Sequence, residues 1–123
     1  MMSPGYTEDP EHRITTERMR ERVEIFMEGE KIAETRRAIK LSESGYPDRY
    51  YIPREDIRGI ELIKFRDYEC PFKGQGELYS VKHGASRFEN AAWSYSRPYD
   101  DMTEIKNLIA FYPEKVQLIR VTG

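Results

Sequence analysis

With 123 residues, of which 38% are apolar, 34% charged and 12% aromatic, the chain has the length of one domain and the composition of a small β-rich one. Its 20 basic and 22 acidic residues are interspersed to a net charge of −2, so no field favours nucleic acid or an anionic membrane, and no apolar run nears the ~20 residues that span a bilayer. One cysteine and two histidines can build neither an internal disulfide nor a cysteine-rich zinc cluster, and the polar N-terminus has no signal-peptide core, so the expectation is a cytoplasmic protein without metal or cofactor.

Residues 1–11 combine Pro, Gly, Ser and acids and read as a poorly ordered tail, leaving residues 12–123 as the domain. His12 to Thr16 alternates weakly, as a short edge strand does. Val23, Ile25 and Met27 alternate with polar neighbours before Glu28-Gly29, and Lys31 to Thr35 follows, which predicts a hairpin with a glycine-dependent tight turn. Ala38 to Leu41 and Arg49 to Ile52 are the next strands, separated by Ser42 to Pro47; Pro53 then ends the ladder and Arg54 to Ile57 forms one turn. The run Ile60 to Phe65 is apolar enough on both faces to predict a strand buried on both sides at its centre.

Beyond it, Glu69-Cys70-Pro71-Phe72-Lys73-Gly74-Gln75-Gly76 packs a thiol, a rigid ring, an aromatic, a cation and two glycines into one segment, more chemical variety than a connecting turn needs. Leu78 to Lys82 and Asn90 to Tyr95 are further strands around a Gly84 turn, the second closed by Pro98. Asp100 or Asp101 is expected to cap a short helix through Met102 to Leu108. Ile109 to Tyr112 and Val116 to Val121, joined at Pro113 to Lys115, predict a terminal hairpin.

A set of ordered motifs spans His12 to Val121: His12-x-Ile14, Ile32-Ala33, Arg36-Arg37-Ala38, Tyr50 through Asp56, Cys70 through Gly74, Asn90 through Tyr95 and Ile109 through Pro113. In these the chain resembles the domain of unknown function numbered four hundred and twenty-seven, a family with a nucleotidyltransferase-like label. The resemblance implies a mainly β fold similar to the Mss4-like β-tent: two small antiparallel sheets pinned together, here by aromatic residues because the cysteines of the zinc-bearing relatives are missing. Glu69 departs from the His or Tyr that the family pattern has before Cys-Pro.

The candidate site residues each admit a plain structural reading beside a functional one. Cys70 is a nucleophile if a base activates it, or a buried thiol packing as a small hydrophobe. Lys73 with the Gly74 and Gly76 amides makes an anion nest or a purely conformational turn. A metal-dependent transfer would use Glu55 and Asp56, but neighbours on an extended chain rarely converge, so a network of Arg54 with Asp56 is the alternative. Trp93 and Tyr95 share a strand face and, with Tyr51 or Tyr79, wall a small pocket or fill the core; His12 is a wall of that pocket or a strand end.

Three readings of function follow. The first is a domain binding a small anionic or nucleotide-like molecule in a cleft of Trp93, Tyr95, Tyr79 and Tyr51 rimmed by Arg54, Lys73 and Asp56. The second is a nucleotidyltransferase-like enzyme using Cys70 or Asp56, and the third a homodimer whose sheet edges serve assembly.

Overall fold

The computed structural model describes Gly5 and residues 9–123; within the expected tail, residues 1–4 and 6–8 lie outside the described residues. Among the described residues ten strands follow in order: β1 (Ile14–Arg18), β2 (Arg22–Met27), β3 (Glu30–Thr35), β4 (Ile39–Glu43), β5 (Tyr46–Tyr51), β6 (Glu61–Cys70), β7 (Gly74–His83), β8 (Ser86–Pro98), β9 (Ala110–Phe111) and β10 (Leu118–Thr122). The fold is mainly β, with every strand pair antiparallel. Its strands form three sheets rather than two: β1-β4-β5, β10-β2-β3 and β6-β7-β8-β9. Among the described residues no helix is long and apolar enough to cross a membrane.

The β2–β3 turn puts Glu28 at φ 51° and Gly29 at φ 81°. Two successive left-handed residues match the right-handed twist of the flanking strands, so this tight turn joins them without splaying. β5 starts at Tyr46, earlier than its apolar residues indicate. Pro47 is tolerated there because β5 is an edge strand and its pairing with β4 is irregular between Leu41 and Glu43.

The large sheet is covered on both faces. On one side Ala92 of β8 and Val81 of β7 pack with Val23, Ile25 and Ile32 of the β2–β3 hairpin. On the other, Leu78, Trp93 and Tyr95 pack with Leu41 and Tyr51 of β4 and β5 and with Met102 and Ile105. Ile52 and Ile109 exchange both backbone hydrogen bonds, at 2.7 and 2.8 Å, and this seam lays β5 alongside the end of the large sheet.

Three expectations are corrected. The strand buried on both sides is β8, not the run from Ile60 to Phe65. That run opens β6, an edge strand whose Lys64 to Glu69 are exposed and whose pairing is broken by a bulge beside Phe65. The capped helix is a 3₁₀ segment, Asp100–Ile105, preceded by Tyr99 and without a side-chain cap; Met102 (φ −121°, ψ 18°) interrupts it, and the three-residue period drops Met102 and Ile105 together into the core. The terminal hairpin does not form. β9 pairs with β8 and β10 with β2, because the Tyr112 N–H donates to Ala91 O while the Gln117 N–H donates to Phe26 O, carrying the chain from one sheet to another.

β10 is fixed to β2 by a buried carboxylate. Glu24 accepts two hydrogen bonds from the Arg120 guanidinium, at 3.0 and 2.9 Å, and a third from Lys31 of β3 at 3.0 Å. Lys31 and Arg120 hold this carboxyl below the usual carboxylate range.

Candidate functional site

A cleft of about 330 Å³ opens where the β1-β4-β5 sheet leans over the large sheet. Period-two alternation aims Arg49 and Tyr51 of β5 at it from above and Trp93 and Tyr95 of β8 from below. The β6–β7 hairpin closes one end with Cys70 and Lys73. His12 adds a wall, stacked on Phe72 with ring centroids 4.0 Å apart.

The floor is aromatic and internally bonded. The Trp93 Nε1–H donates to the Tyr51 hydroxyl at 3.0 Å, with the two rings edge to face. Tyr112, just past β9, lies 4.4 Å from the Trp93 ring. Burial pushes the Tyr51 and Tyr95 hydroxyls far above the ordinary phenol range, so both remain protonated hydrogen-bonding groups at neutral pH.

The charged groups fall into two sets. Glu43, at the end of β4, accepts from Lys73 Nζ at 2.7 Å on one oxygen and meets His12 Nε2 at 2.9 Å on the other. Lys73 Nζ also lies 3.8 Å from Cys70 Sγ. Arg49 stands apart: its guanidinium sits over Trp93 at 5.4 Å and over Tyr112 at 5.8 Å from the ring centroids, and among the described residues no carboxylate pairs with it.

The site residues expected from the sequence divide between this cleft and other places. His12, Tyr51, Cys70, Lys73, Trp93 and Tyr95 share it. Arg54 and Tyr79 meet each other elsewhere: Arg54 Nη2 donates to the Tyr79 hydroxyl at 3.3 Å, and Tyr79, next along β7 from the cleft-facing Leu78, points to the other side of the sheet. Asp56 is not the partner of Arg54; with Glu55 it binds the Arg37 guanidinium, each at 3.1 Å. Gly74 pairs in the ladder with Cys70 and Pro98, outside the cleft lining. A Cβ added there would meet Arg97 O at 2.5 Å, and one on Gly76 would meet Ser94 O at 2.0 Å, so close strand approach accounts for both glycines.

Glu43, Tyr46, Arg49, Tyr68 and Tyr112 also line the cleft and were not expected from the sequence. Arg49 carried a signal, because it lies two positions before Tyr51 on a strand and therefore on its face. Glu43 carried none, being 30 residues from Lys73 and 31 from His12. Among the described residues no cluster of three or more His, Cys, Asp or Glu side chains is placed to hold a metal ion.

The fold and this cleft define a mainly β domain with an aromatic and charged cavity between two of its sheets. The family model described as Domain of unknown function (DUF427), whose short name is nucleotidyltransferase-like, matches residues 15–122, and the chain belongs to that family. No curated protein matches it.

Proposed function

We propose that the cleft binds a small flat organic molecule carrying a negative charge. The observation behind this reading is Arg49: a planar cation held over two aromatic faces, with no carboxylate pairing with it among the described residues, offers a ligand both a stacking surface and a bidentate anion partner. The size supports it too, since about 330 Å³ is at the small end of ligand cavities. Trp93 is the only tryptophan and lies in the cleft, so its fluorescence reports occupancy directly. Screening nucleotides and small cyclic or phosphorylated metabolites should give a saturable change in emission that Arg49→Gln weakens at least tenfold while the melting temperature stays put. If no compound changes the Trp93 signal, the binding reading fails.

An enzymatic reading draws on Cys70 beside Lys73 and on the family's short name. It has less support, because Asp56 is engaged by Arg37 away from the cleft. A purely assembling role would use the exposed β6 edge with Phe65 and Tyr68, but the bulge and the charges of Lys64, Arg66, Asp67 and Glu69 are features that discourage edge pairing.

A further inference from the structure

We infer that the cleft selects a singly charged carboxylate over a doubly charged phosphate, and that Glu43 sets this preference; the inference rests on the ligand-binding reading above. Two permanent cations line the cavity, Arg49 and Lys73, against one carboxylate, Glu43. Glu43 is spent internally, one oxygen on Lys73 and the other on His12, whose second ring nitrogen faces Asp9 at 3.9 Å. Both members of the Glu43–Lys73 pair are nearly buried, their side chains 10% and 12% exposed, so water does little to screen them and each neutralises the other at close range.

What remains is one positive charge, on Arg49. A carboxylate matches its fork with two parallel hydrogen bonds and brings the cavity to neutrality. A phosphate monoester at about pH 8 carries close to two negative charges. It would leave one of them uncompensated in a half-open cavity that already holds the Glu43 carboxylate. The aromatic walls then favour a ring on the carboxylate rather than an aliphatic chain: Arg49 already covers Trp93 and Tyr112, but the exposed rings of Tyr46 and Tyr68 also line the cavity. The class is therefore a small aromatic or heteroaromatic monocarboxylate.

The test compares three probes that share one ring, benzoate, benzamide and phenyl phosphate, titrated against Trp93 fluorescence at about pH 8. The expected result is that benzoate binds at least tenfold more tightly than either of the others. Glu43→Gln, which leaves two uncompensated cations, should then move the preference toward phenyl phosphate by at least tenfold. Should that variant not fold, Lys73→Met removes the pair from its other side; it lowers the net charge to zero and should weaken benzoate relative to benzamide. Benzamide binding as well as benzoate, or phenyl phosphate binding as tightly as benzoate to the unaltered protein, overturns the selectivity and leaves the cleft reading standing. If none of the three probes perturbs Trp93, the aromatic monocarboxylate assignment falls, while the ligand-binding reading fails only if the wider screen is silent as well.

Discussion

Replacing Tyr51 by Phe removes one oxygen atom from the floor of the cleft and tests whether the Tyr51–Trp93 hydrogen bond holds the two sheets together. Tyr51 is fully buried on β5 and Trp93 nearly so on β8, and the bond between them is 3.0 Å long. In the variant the indole N–H is left in an aromatic enclosure without its acceptor, a loss that costs about 1–3 kcal/mol. At an unfolding entropy of about 2.1 cal/mol/K per residue, a chain of 123 residues changes its melting temperature by about 4 °C per kcal/mol. Tyr51→Phe should therefore melt about 4–12 °C lower. Calorimetry on Tyr51→Phe, Trp93→Phe and the double variant separates the bond from the ring packing, with an expected coupling of about 1 kcal/mol. A Tyr51→Phe midpoint within about 1 °C of the parent would refute the reasoning, because it would mean that the N–H finds another partner at no cost.

Three further outcomes are expected. Gly76→Ala should yield little soluble protein or a melting point lower by well over 10 °C, since its Cβ would lie 2.0 Å from the backbone oxygen of Ser94; a normal melting curve would show that the β7–β8 spacing is slack. His83 is bonded to Glu28 and faces Glu30, which raise its pKa above the ordinary 6.5, so its contribution is complete below about pH 6.5 and is lost as pH climbs through the raised value. The stability gap between the parent and His83→Gln should accordingly shrink from pH 6 to pH 9 in thermal melts, and a gap that widens would reverse the assignment. A chelator should leave the melting temperature unchanged, and stoichiometric metal in purified protein would contradict the metal-free reading.

Local chemistry was readable wherever it is a matter of neighbours along the chain. The Glu28-Gly29 and Gly84 turns, the stop at Pro53 and the shared face of Trp93 and Tyr95 all follow from dihedral preference or the two-residue strand period. What a strand pairs with does not follow from its own residues. Ile60 to Phe65 has the apolar content of a central strand, yet it sits at an edge because β7 accepts it on one side and, among the described residues, no strand pairs with it on the other. Val116 to Val121 looks like a partner for its predecessor, but β2 offers Glu24 to Arg120 and takes the strand away. The cleft was legible in its aromatic half for the same reason that it was illegible in its charged half: rings two apart on one strand announce a shared face, whereas Glu43, Lys73 and His12 meet only once three segments have folded.

The Glu24 junction also bears on the order of events during synthesis. Arg120 is made 96 residues after Glu24, which at ribosomal speeds of about 5–20 residues per second is an interval of roughly 5–20 s. Throughout that time β2 can pair with β3 through the nearby turn, but its other edge, running through Val23 and Ile25, has no partner strand. A nascent chain in this condition exposes a row of free backbone donors and acceptors flanked by apolar side chains. Glu24 stands in the middle of that row, and until Arg120 arrives its carboxylate is held by Lys31 of β3. A residue that later joins two strands is first a partly compensated charge on a free edge, a feature that discourages pairing with other growing chains.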